Sequence, residues 1–421
     1  MRSRWVLSLL AAVALWCGGG EAWADEPPTE PILRVETGMH QAKINRIAVD
    51  AANRYLVTGS GDKTVRVWDL HTGTLLRTLR LPIGMGNEGE VNAVAISVDG
   101  GTVAVGGWTG LDFDGSVSIY LFDRASGRMT KRLTGLPNVI GHLAFSPDGQ
   151  TLVATLGGEH GIRVYGTSDY AVIGEDRAYG DSSYGAAFDR QGRLVTTSLD
   201  GFIRLYDTKF QLLAKQQAPG GSEPFGVAFS PAGLQVAVGF KDSTKLAVLS
   251  GQDLSFQFAP DARKLTNGSF SSVAWSADGN RLYAAGSGSN GTVWGWAKSG
   301  RGPAGVVPTG SVTIFSLLPL QDGGVVFGAA DPAHGVLDAQ GRRTLFQGPS
   351  IADYRGIYLN AWRLSHDGTS IEYGYEYGGK IPGRFAVAAR VLTVGQSIAG
   401  EALEPPKTDA PGISVTDWQN S

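Results

Sequence analysis

Carboxylates and aromatic rings share the same kind of segment along this chain, between apolar runs. Glu88 and Glu90 precede one run, and Trp108, Asp112, Phe113 and Asp114 fall within GGWTGLDFDGSV at residues 106–117. Asn138, Asp181, Tyr184, Glu223 and Phe225 occupy comparable gaps, as do Glu159, His160, Tyr354 and Arg355. Acidic groups beside rings suit a surface that anchors a polar or basic protein segment. The carboxylates meet its cations and the rings cover its apolar stems.

Covalent chemistry has little to work with. The single cysteine, Cys17, lies in the first 24 residues, and no serine stands on a nucleophile elbow. The G-x-G-x-x-G letters at residues 286–291 join two apolar runs and lead into TVWGW instead of a helix start, so they read as a turn. Asp112-Phe113-Asp114-Gly115 lacks the further carboxylates and terminal Glu of a calcium loop. His160 beside Glu159 and His334 near Asp331 could share a face, but two separate His–carboxylate pairs make a weak metal set. His142 reads as a hydrogen-bonded core residue. The reading is therefore a non-enzymatic chain without cofactor or metal. The alternative is a metal-dependent hydrolase or lactonase, with Glu90, Asn138, Asp181 and Glu223 converging at a channel mouth.

What must position these residues is a repeated phrase: an apolar run, a turn at or near Asp-Gly, and a second apolar run. It reads AVAISVDGGTVAVGG from Ala93 and HLAFSPDGQTLVATL from His142, and it occurs eight times. Equivalent positions are Ala48, Ala95, Ala144, Ala187, Ala228, Ala274, Leu318 and Arg363, about 41 to 49 residues apart. Such a period with several short strands per unit predicts an all-β fold, a β-propeller of four-stranded blades. In unit one the strands are expected at 44–49, 55–60, 64–70 and 75–80. Eight copies favour eight blades, with a strand at 32–37 completing the last; seven blades with the final unit outside the ring is the alternative.

Residues 1–24 carry Arg2 and Arg4, an apolar stretch too short to span a membrane, and Ala22-Trp23-Ala24 before Asp25. They read as a signal peptide, which places the protein in the periplasm or outside the cell. The propeller is then assigned to 25–399, and the Pro- and Asp-containing stretch 400–421 to a linker or tail. The 60 glycines fit many tight turns, and a net charge of −3 with no Lys/Arg stripe disfavours nucleic acid. A protein partner, a monomeric state and no membrane insertion after cleavage complete the expectation.

Unit one resembles the WD-repeat family. Met39-His40 stands where that family has Gly-His, Asp62 takes the tight turn, and Trp68-Asp69 is the name-giving dipeptide. The resemblance implies a tetrad of His40, Thr58 or Ser60, Asp62 and Trp68, and a role as a protein-interaction scaffold. The turn-to-strand spacing persists in Glu159 with Tyr165, Asp200 with Tyr206, Asn290 with Trp296 and Asp331 with Leu337. No later unit keeps the histidine, so apolar packing is expected to hold those blades. More finely, the chain resembles the N-terminal propeller of exported bacterial proteins that carry a caspase-like peptidase domain. This rests on INRIAVDAANRYLVTGSGDKTVRVWDL, YLFDRASGRM, GLPNVIGHLAFSPDGQTLVATLGG, YGDSSYGAAF and VTDWQNS. It implies a regulatory or targeting part, because a mature chain without cysteine cannot form a Cys–His dyad.

Overall fold

The computed structural model describes residues 38–265, 267–287 and 291–349, and beyond them 362–364, 367–373, 383–389 and 391–394. The segment 1–24, the strand expected at 32–37, Asn290, Tyr354, Arg355 and the stretch 400–421 lie outside the described residues.

Every repeat unit is a four-stranded antiparallel meander. Blade one runs Ile44–Val49, Tyr55–Ser60, Thr64–Asp69 and Leu75–Arg80 from the inner strand outward. The later inner strands of the ring are Glu90–Ile96, Ile140–Phe145, Ser183–Phe188, Pro224–Phe229, Ser272–Trp275 and Ile314–Pro319. In blades two, three and six the Asp-Gly turn closes the first hairpin by the same chemistry. In blade two Asp99 Oδ1 accepts from Ser97 Oγ at 2.5 Å and from Gly101 N at 2.9 Å, while Gly100 takes a φ of 73° that a side chain would resist. Blade one places Asn53 there, at φ 53°. Residues 64–68 are all buried despite their alternating pattern, because both faces of a blade meet neighbours.

Seven blades, not the eight favoured by the repeat count, close the ring. The inner strand of blade seven packs on that of blade one. Ile47 N donates to Ser316 Oγ at 3.4 Å and Gln321 N to Asn53 Oδ1 at 2.7 Å. Gln347 Nε2 donates to Gly73 O at 3.2 Å, and the Trp68 and His334 rings lie 4.5 Å apart. Blade seven also supplies its own outer strand, Arg343–Gln347. The eighth copy forms a separate four-stranded sheet of Trp362–Leu364, Ser370–Tyr373, Gly383–Ala386 and Val391–Val394. Repeats count units, whereas blade number depends on where the last seam meets the first.

The core is not one body but a set of apolar layers between adjacent blades. One joins Val57, Val65 and Val67 to Val94, Val103 and Tyr120, and another joins Ile44, Ile47 and Trp68 to Leu320, Val326 and Val336 across the closure. Close approach requires a small residue in each second strand, opposite Arg46, Ala93, His142, Gly185, Ser272 and Ser316. At Gly328 a Cβ would stand 2.7 Å from Ile47 Cγ2 and 2.9 Å from Ile44 Cγ2.

If closure lies between blades seven and one, a chain ended after Pro349 will keep its strand signal and its cooperative melt. Circular dichroism should place its midpoint within a few degrees of the full chain; a collapse of the transition would return the eighth unit to the ring.

Candidate functional site

The upper face of the ring carries the loops from each outer strand to the next inner strand, together with the turns between second and third strands. In blade one a buried network ties these two features together. His40 Nδ1 lies 3.0 Å from Asp62 Oδ2, and His40 Nε2 lies 2.7 Å from Thr58 Oγ1. Trp68 Nε1 donates to Thr58 Oγ1 at 2.9 Å. Gln41 N and Thr64 Oγ1 donate to Asp62 at 3.0 and 2.6 Å. Ser60 stands aside from this chain: its Oγ donates to Ala42 O at 2.9 Å and accepts from Asp62 N. Burial alone would raise the Asp62 pKa, but attraction to His40 and the bonds from His40, Thr64 and Gln41 outweigh it. The carboxyl is held well below the usual range.

In blade two the tying carboxylate comes from the entry loop instead. Glu88 is buried, and its oxygens accept from Gly110 N at 2.5 Å, Leu111 N at 3.1 Å and Asp112 N at 3.3 Å. These amides open the short helical turn Leu111–Asp114, so an acid placed there answers unsatisfied donors. Phe113 is buried under the turn, and Asp114 accepts from Ser118 Oγ at 2.6 Å and pairs with Arg132 at 3.0 Å. Glu88, Phe113 and Asp114, expected to face a partner, are thus turned inward to build the insertion.

The remaining upper-face residues keep accessible surface. Asp112 and Asp181 are exposed; Glu90, Trp108, Asn138, Tyr184, Glu223 and Phe225 are partly so. Tyr184 and Phe225 stack with centroids 4.6 Å apart, across the seam of blades four and five. Glu90 lies 3.5 Å from Lys43 and Glu223 3.8 Å from Lys241. Asn138 and Asp181 each accept from the amide that follows them. Each of the four oxygen donors proposed for a metal thus has a polar neighbour of the protein's own. Among the described residues no three His, Cys, Asp or Glu side chains come together as ligands. His160 is partly exposed beside exposed Glu159, but His334 is buried against the Trp68 ring.

Residues 34–69 match the family model for the WD domain, G-beta repeat, the stretch that holds His40, Thr58, Asp62 and Trp68. The first blade of the seven-bladed ring thus matches the WD repeat. The chain is 48% identical over 48 residues to pre-mRNA-splicing factor PRP46 of Yarrowia lipolytica, 11% of each protein. It is 26% identical over 160 residues to WD repeat and SOCS box-containing protein 1 of Takifugu rubripes, 37% of this chain and 34% of that one. Over 99 residues it is 39% identical to small ribosomal subunit protein RACK1y of Oryza sativa subsp. japonica, 24% of this chain and 26% of that one. The chain spans about a tenth to a third of the length of these relatives.

Blade four departs from the expectation that apolar packing replaces the missing histidine. Tyr206 O–H donates to Asp176 Oδ2 at 2.7 Å, and the Tyr179 hydroxyl lies 2.9 Å from that of Tyr206 and 2.7 Å from Thr196 Oγ1. Arg204, buried, pairs with Asp200 at 2.6 Å and lies over the Tyr179 ring at 3.8 Å. Burial pushes the Tyr179 phenol up to about 12, leaving it an O–H group at neutral pH. Tyr179 fills the place of His40 and Tyr206 that of Trp68. The Asp200–Tyr206 spacing pointed to part of this, but Tyr179 carried no motif.

Asp62→Ala is expected to lower stability by about 2–3 kcal/mol at pH 7, because the buried donors of His40, Thr64 and Gln41 lose their acceptor. The folded pKa is depressed, so this contribution is full above the ordinary Asp value of about 4 and fades as pH falls through the folded value. Urea melts should show a constant gap between variant and wild type from pH 7 to about 4, narrowing below. A gap that narrowed on the alkaline side would contradict the assignment.

Proposed function

We propose that this propeller is a non-enzymatic, exported interaction module whose upper face captures a polar or basic protein segment. The supporting observation is the stacked Tyr184–Phe225 pair, which keeps accessible surface while Asp181 and Glu223 stand on the same loops. Large rings rarely stay open without a partner to cover them, and neighbouring carboxylates select a cationic one. Glu90, Trp108, Asp112 and Asn138 extend the face over blades two and three. Glu88, Phe113 and Asp114 serve it indirectly by fixing the insertion.

The resemblance carried by INRIAV, YLFDRASGRM and YGDSSYGAAF supports a finer reading, in which the module regulates or targets a caspase-like peptidase domain. Export follows from the signal-type pattern of residues 1–24.

Titration with Lys/Arg-containing peptides tests the face. Tyr184→Ala with Phe225→Ala should weaken binding by about tenfold or more, and Asp112→Lys with Asp181→Lys should reduce both affinity and its salt dependence. The melting midpoint should hold in both. Equal affinity in all variants would remove the upper face from consideration. For export, N-terminal sequencing of protein recovered outside the cytoplasm should start at Asp25; an intact Met1 would count against it.

A further inference from the structure

We propose that the central channel is a second binding site, entered from the lower face, for an organic carboxylate with an apolar body seated on Arg46. It is independent of the upper-face reading. Inner strands from all seven blades line one cavity of about 530 Å³. It runs from the level of Arg46 to the inner-to-second-strand turns, where Ala51, Arg190, Pro231 and Gln321 border it. Its wall repeats a small residue blade after blade, at Ala48, Ala95, Ala144, Ala187, Ala228 and Ala274. The size suits a small organic molecule, and the wall suits an apolar one.

Arg46 breaks that pattern. Of its register equivalents, Ala93, Gly185, Gly226, Ser272 and Ser316 are short and His142 is large, which leaves room for a long side chain to reach across blade two. Nη2 donates to Gly141 O of blade three at 3.2 Å, passing over blade two. Nε is buried and has no acceptor. The side chain is partly buried and stands among the residues that line the cavity. Burial pulls its pKa down only to about 10, so it stays charged at neutral pH.

Among the described residues that line the channel, none balances that charge. Asp50, the acidic residue of the lining, is committed to Arg54 at 2.8 Å and to the amides of Arg54 and Tyr55 at 2.7 and 2.8 Å. His142 accepts from Ala186 N at 3.0 Å, and burial holds its pKa well below the usual value, so it is neutral. Tyr184 is the other titratable neighbour of Arg46. A partly buried cation with open donors and no counter-ion is costly to keep. A carboxylate matches the guanidinium fork and would satisfy it. A phosphate fits less well, since the deep end offers no second cation for its further charge.

The test uses the full chain and titration calorimetry with phenylacetate, 2-phenylethanol, and one short peptide ending either in a free carboxylate or in an amide. Phenylacetate should bind about tenfold or more tightly than the alcohol, the factor a charge-assisted contact supplies. Arg46→Gln should erase that difference while melting no lower than wild type, because it removes an uncompensated charge. If the free-ended peptide binds more tightly than phenylacetate and the amide does not, the ligand is a protein terminus; if phenylacetate alone binds, it is a free small molecule. Should Arg46→Gln fail to fold, Ala187→Leu keeps the charge and fills the bore, and it should block the same binding. Saturable binding by neither carboxylate, or equal binding by acid and alcohol, would overturn the site.

Discussion

Adjacent blades approach closely where the second strand carries a small residue. At Gly59 a Cβ would stand 2.7 Å from methyl carbons of both Val91 and Val94, and at Gly106 2.7 Å from Ile140. Gly328 stands in the same relation to Ile44 and Ile47. Interiors packed this tightly do not stretch to admit extra atoms. The small second-strand position therefore sets the spacing between blades, and with it the channel bore and the number of blades needed to return to the start. The inner strands are then stitched together: Asn45 Nδ2 donates to Val91 O, Thr197 Oγ1 to Phe225 O, and Leu317 N to Ser272 Oγ.

Apolar seams alone would leave the loops of the upper face loosely held. Three blades solve this with different residues doing one job. Blade one uses His40 and Asp62, blade two uses Glu88 on the amides of a helical turn, and blade four uses Tyr179, Tyr206 and the Arg204–Asp200 pair. Each satisfies buried polar groups while joining an entry loop to the turn beside it, and a network so satisfied rigidifies its surroundings. The rim is thus pre-organised, and side chains not consumed by the ties, such as Asp112 and the Tyr184–Phe225 pair, are left for recognition.

The two ends of the ring differ in chemistry. Above, acidic residues and rings are spread over several blades, which suits an extended protein segment. Below, the channel is narrow, apolar and headed by one guanidinium, which suits a compact anion. Neither end needs the ring to move, since both use groups held by strands or by capped turns.

The strand unit, its Asp-Gly turn and the all-β class were legible in the sequence, because alternation and turn chemistry are local and are repeated often enough to reinforce one another. The blade-one network was anticipated as well, but only through the resemblance of His40, Asp62 and Trp68 to the WD-repeat pattern. Tertiary structure decided the rest. It chose seven blades over eight, because closure depends on seam geometry that no single repeat encodes. It turned Glu88 and Asp114 inward and left Asp112 exposed, although all three are the same kind of side chain in the same two loops; only the placement of the Leu111–Asp114 amides separates them. It also placed Arg46, one cation among many in the sequence, at the deep end of a shared cavity, because that cavity exists only when seven strands from distant parts of the chain stand around one axis.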